Sequence, residues 1–136
     1  MNKIDTAHWD RKEHFRFFQD RRRPQVEVTA RLDISGAAAW RRGLAERERP
    51  RLSDMLYFLA ARAANGIREF RTRIVDREPV EFSRVHLGFT YRPAGRDLHA
   101  NCLAAYSEDF SETVQRISAA RQEADQRPTL TPAGAE

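Results

Sequence analysis

From Gln25 to Ile34 apolar and polar residues alternate without a break: Val26, Val28, Ala30, Leu32 and Ile34 against Gln25, Glu27, Thr29, Arg31 and Asp33. A period of two sends successive side chains to opposite faces, so this stretch is predicted as a half-buried strand. Elsewhere the period changes. In "SDMLYFLAARAANGIREF", residues 53–70, Leu56, Leu59, Ala60, Ala63, Ala64 and Ile67 recur at helical spacing. That broad stripe predicts the longest helix, with Gly66 weakening it. In "SEDFSETVQRISAARQEADQR", residues 107–127, Phe110, Val114, Ile117 and Ala124 share one face of a final helix.

Shorter elements fill the gaps. A helix is predicted from about Asp10, with Asp10 as cap, Glu13 three residues on, and Trp9 packing on the first turn. Arg11, His14, Phe15 and Phe18 then lie on one side, and Pro24 ends the stretch. "SGAAAWRRGLAERE" predicts a helix with Ser35 as candidate cap and Ala37, Trp40 and Leu44 on one side. Between residues 71 and 106, "RTRIV", "PVEF", "HLGFTYR" and "DLHANCLAAY" predict short strands. The order α-β-α-α-β-β-β-β-α implies an α+β class, a mixed α/β sandwich of helices on one sheet. Residues 1–127 are expected to form a single domain and 128–136 a tail.

Composition narrows the chemistry. The 136 residues carry 24 lysines and arginines against 20 acids, and all of the former but Lys3 and Lys12 are arginine. These arginines are interleaved with Asp and Glu, and only "RRR" at 21–23 is clustered, so no nucleic-acid partner is expected. No apolar run suits a signal peptide or a membrane span. The single cysteine, Cys102, excludes an internal disulfide framework and points to a reducing, cytoplasmic setting. His8, His14, His86 and His99 form no zinc pattern, and no phosphate loop or GxSxG turn occurs, so no metal and no bound cofactor are expected.

One stretch needs more explanation. "WDRKEHFRFF", residues 9–18, resembles the W-x-R-K/R-E-H-F-x-x-F/Y signature that opens the chloramphenicol acetyltransferases. "VTARLDIS", "LYFLAARAANGIREFRTRIVD", "VEFSRVHLGFT" and "LAAYSEDFSETV" resemble later family segments in the right order, so the likeness runs over about residues 5–125. It implies the N-terminal portion of that fold, in a trimer whose active sites lie between subunits. It also implies an acetyl-CoA cosubstrate and a small acceptor whose hydroxyl is acetylated. Arg11 resembles the arginine that pairs with the aspartate of the family's H-H-x-x-x-D-G motif. Phe17, Phe18, Thr90 and Leu98 match acceptor-pocket positions, the last usually aromatic.

The sequence departs from the family at its chemical centre. Four residues after the histidines stand Lys12, Phe18, Thr90 and Leu103, so no HxxxD occurs. "TLTPAG", residues 129–134, resembles the stretch that precedes the family's second half, where the base, the oxyanion-stabilising serine and most acetyl-CoA contacts lie. The expectation is therefore an incomplete domain with no catalytic residue of its own, inactive alone or completed by another chain. The alternative is a non-catalytic module that binds an acceptor molecule or a protein.

Overall fold

The computed structural model describes residues 1–132. The last four residues, including the end of "TLTPAG", lie outside the described residues. The elements are β1 (Asn2–Lys3), α1 (Lys12–Gln19), α2 (Ser35–Gly43), α3 (Leu52–Gly66), β2 (Thr72–Val75), β3 (Glu78–Glu81), β4 (Leu87–Tyr91), β5 (Ala100–Ala104) and α4 (Phe110–Gln126). Helices and small antiparallel sheets fit the α+β class. One sheet has the order β1-β3-β2, and the other is the pair β4-β5.

The core forms where α3 and α4 meet β4 and β5. Phe89, Ala100, Cys102, Ala104, Ile117 and Ala124 make one buried cluster, and Phe58, Ala61 and Tyr106 make a second. The register pairs Phe89 with Cys102 and Tyr91 with Ala100. Alternation therefore sends Phe89 and Tyr91 toward α4 and leaves Gly88 and Thr90 on the far side. Asp109 caps α4, its Oδ1 accepting from the Glu112 N–H at 2.7 Å. Asn65 holds the segment before β4 as a strand would: its Nδ2 donates to Val85 O and its Oδ1 accepts from Val85 N.

Two expectations fail. Residues 25–34 join no ladder, and Val26, Val28 and Leu32 are 89%, 86% and 83% exposed. Alternation prepares a strand for pairing, but a ladder needs a neighbour, and among the described residues none lies alongside. The face of α3 also differs. Asp54, Met55, Phe58 and Ala61 are its buried residues, whereas Leu56, Leu59 and Ile67 remain 39–47% exposed. The buried face of α3 thus holds Asp54 together with Met55, Phe58 and Ala61, and the broad apolar stripe points away from it. Smaller corrections concern caps: neither Asp10 nor Ser35 caps a helix, and Asp33 Oδ1 instead accepts from the Ser35 N–H at 2.8 Å. Trp9 does pack on the first helix, with its ring 5.9 Å from that of Phe15.

The β2–β3 turn stores strain. Asp76 and Arg77 have φ of 50° and 64°, the left-handed conformation of a two-residue hairpin loop. A side chain there costs roughly 1–2 kcal/mol, which glycine avoids. Arg77 also makes only an exposed pair with Asp20. Arg77→Gly should therefore raise the melting temperature and Arg77→Val should lower it. Thermal unfolding followed by circular dichroism checks the order of the three proteins.

Candidate functional site

No residue before Asp54 is buried, so the first third of the chain is an arm laid against the rest. β1 pairs with β3, and Lys3 meets Glu78. α1 is tied at both ends: Arg11 Nη2 lies 2.8 Å from Glu69 Oε1, and Asp20 meets Arg77 at 3.1 Å. The Arg11 and Glu69 side chains are 56% and 49% exposed, so this is a solvated pair. Phe17 and Phe18 meet edge to face with centroids 5.0 Å apart, and both are exposed. The Arg21 guanidinium covers the Phe17 ring at 4.5 Å. Phe15 is the half-buried phenylalanine of the three, against Trp9.

Thr90 and Leu98 lie elsewhere. Thr90 stands on the outer face of β4, in a concavity of ≈ 360 Å³ lined with Gly88, Leu103, Leu130 and Pro132. Leu98, 80% exposed, lines a neighbouring hollow of ≈ 340 Å³ with His99 and Leu130. The structure thus brings Thr90 and Leu98 to either side of Leu130, and neither hollow is lined by Phe17 or Phe18. The tail forms the shared wall because Asn101 donates from its backbone N to Thr129 O and from Nδ2 to Leu130 O.

Beneath Thr90 lies a feature that sequence reasoning missed. Arg121 donates from both terminal nitrogens to the two Asp54 carboxylate oxygens, and from Nη2 to Ser53 Oγ at 3.3 Å. The two side chains are only 10% and 5% exposed. The guanidinium also lies 5.6 Å from the Phe89 centroid and 6.0 Å from that of Tyr91. Hydrogen bonding to Asp54 holds Arg121 still more firmly protonated than usual. The pair thus pins α3 to α4 and braces the strand that displays Thr90. The only sequence signal was a charge on each helix in line with buried neighbours: Asp54 beside Met55, and Arg121 one turn from Ile117.

The remaining reactive groups are quiet. Burial pushes the Cys102 thiol up, away from thiolate chemistry. His86 Nδ1 accepts the Tyr106 N–H at 3.1 Å, which leaves its proton on Nε2 when neutral. His8 meets Asp5 at 2.7 Å in the open. Among the described residues no group of three or more His, Cys, Asp or Glu is placed to hold a metal ion. No described helix is long and apolar enough to cross a membrane.

The chloramphenicol acetyltransferase family model matches residues 1–136. A chloramphenicol acetyltransferase 2 of Haemophilus influenzae is 28% identical over 99% of this chain and 62% of its own length. Its Escherichia coli namesake is 27% identical over 98% and 61%. A solved chloramphenicol acetyltransferase superposes with a TM-score of 0.76 at 24% identity, covering 96% of this chain and 58% of the other, and shows the shared fold. The chain spans less than two thirds of the length of these relatives.

A buried pair of this kind is costly to break on one side. Asp54→Ala or Arg121→Ala should each destabilise by about 3–5 kcal/mol, because a desolvated charge is left behind. The double replacement Asp54→Leu with Arg121→Met should recover most of that loss. Urea denaturation of the three variants checks it.

Proposed function

The chain belongs to the chloramphenicol acetyltransferase family, and we propose that it carries the acceptor side of an acetyl-CoA-dependent O-acetyltransferase. In that reading these 136 residues, which hold no HxxxD, have no catalytic base of their own and are inactive without one. The observation that carries the reading is the family match through all 136 residues of a sequence with no HxxxD. The reaction removes the acceptor's hydroxyl proton to a base while the oxygen attacks the thioester carbonyl. The carbon–sulfur bond then breaks, and the coenzyme A thiol leaves with a proton. A base within hydrogen-bond reach of the hydroxyl is indispensable. His8 is exposed beside Asp5, and His86 is occupied at Nδ1 by a backbone N–H. Neither His14 nor His99 is buried.

A complementing segment, on another chain or elsewhere in a longer one, would supply the histidine and most of the acetyl-CoA contacts. Association in threes with active sites between subunits accords with the resemblance, and a cytoplasmic setting accords with the free buried thiol of Cys102. Arg11 is positioned to support such a segment. Its pair with Glu69 is solvated and therefore exchangeable for an incoming aspartate. Phe17 and Phe18, exposed as a pair, would offer aromatic surface to the acceptor, and from the β4–β5 side Thr90 would offer a hydroxyl and Leu98 an aliphatic side chain. A second reading is a non-catalytic module that binds an acceptor or a protein. The exposed Phe17–Phe18 edge favours it, since binding needs no base.

The polypeptide of 136 residues should release no coenzyme A thiol from acetyl-CoA and chloramphenicol above a denatured control. Turnover well above that control defeats the reading. Calorimetric titration with chloramphenicol separates the two readings when combined with complementation. Thiol release on adding a polypeptide with the part of the Haemophilus influenzae relative that this chain does not match supports the enzyme, and binding without such rescue supports the module. Arg11→Ala should change the stability of the chain alone by only about 0–1 kcal/mol. In the complemented protein it should cost roughly 3–5 kcal/mol, with little rescue by Arg11→Lys, because an ammonium cannot reproduce a two-pronged hydrogen bond.

A further inference from the structure

We infer that Arg77, in the β2–β3 turn, is a positioning residue that latches the Phe17–Phe18 end of α1 through Asp20. Two local misfits meet in this contact. Asp76 and Arg77 both hold the left-handed conformation, where glycine would sit without strain. Asp20 closes α1 at its C-terminal end, where the helix dipole disfavours a carboxylate. Each residue is a poor choice for its own backbone position, and each finds its charge partner in the other. Arg77 Nη2 donates to Asp20 Oδ1 at 3.1 Å across 57 residues of sequence. Local preferences broken at two distant positions that then meet mark a contact kept for placement rather than for stability.

Placement is what this end of α1 otherwise lacks. None of the helix residues is buried. The start of the helix is held by Trp9 against Phe15 and by Arg11 against Glu69. Among the described residues, no other hydrogen bond or ion pair ties residues 14–23 to a distant part of the chain. Phe17 and Phe18 stand exposed on this end, just before Asp20. A ring pair on a loose helix end must be ordered when a ligand arrives, and that ordering weakens binding. The tether orders it beforehand. This role for Arg77 rests on the reading of Phe17 and Phe18 as acceptor surface, and it acts on affinity without contact with the acceptor.

The two side chains are 77% and 81% exposed, so the pair adds little to stability. Stability and placement should therefore part company in Arg77→Gly. Glycine relaxes the turn and raises the melting temperature, yet it frees the helix end. In the 15N-labelled chain the heteronuclear NOE of the Phe17 and Phe18 amides should fall. Chloramphenicol should bind about two- to fivefold more weakly by calorimetry. A merely structural residue would lower order, affinity and melting temperature together.

Three further variants separate the pair from the turn. Asp20→Asn leaves the turn untouched and should reproduce the loosened amides and the weaker binding. Arg77→Lys should keep both at their original values, because a single-pronged contact does not need the guanidinium fork. The exchange of Asp20→Arg with Arg77→Asp should restore both and also raise the melting temperature, since each charge then sits where its backbone favours it. Unchanged amide order in Arg77→Gly and Asp20→Asn overturns the latch. Loosened amides with unaltered affinity overturn its role toward the acceptor. No chloramphenicol binding by the unaltered chain defeats the acceptor reading of Phe17 and Phe18 instead, and the amides still decide the latch.

Discussion

The Asp54–Arg121 pair is the constraint on which the rest of the core depends. It joins two helices whose residues lie 67 apart in sequence, and it does so where water is nearly excluded. Because the carboxylate must face inward, α3 turns Met55, Phe58 and Ala61 inward with it. The guanidinium then has its faces free to lie near Phe89 and Tyr91, which fixes the β4–β5 pair against α4. Once those two rings point inward, alternation leaves Thr90 no choice but the outer face. A single buried ion pair thus sets the orientation of two helices and of the surface opposite them.

The first third of the chain obeys a different rule. It is attached by one short ladder, solvated ion pairs and the Trp40–Phe110 ring contact, none of which is strong by itself. Its aromatic and aliphatic residues are therefore available rather than used. A chain that keeps Phe17, Phe18, Val26, Val28 and Leu32 in water has surface prepared for something else to cover. The acyltransferase reading assigns one part of that surface, the Phe17–Phe18 edge of α1, to the acceptor.

Local patterns carried much of the fold. The hairpin strands near 72–81, the strands near 87–91 and 100–104, and the helices near 52–66 and 110–126 each lie where period and punctuation place them. Trp9 on Phe15 was likewise legible from spacing. The family was legible too, since "WDRKEHFRFF" and the ordered later segments point to the family whose model matches the chain.

Periodicity tells which residues share a face, and composition tells how much apolar surface must be hidden, so the class and the element types outside residues 25–34 followed from the sequence alone. It could not tell which face of α3 goes inward, because that choice turns on a carboxylate meeting an arginine from a distant helix. Nor could it decide that residues 25–34 stay unpaired, since a strand exists only where another backbone lies beside it. The separation of Phe17 and Phe18 from Thr90 and Leu98 was equally out of reach. Local rules fix what a segment can become, and only the arrangement of distant segments, with the desolvation they impose on one another, fixes what it does become.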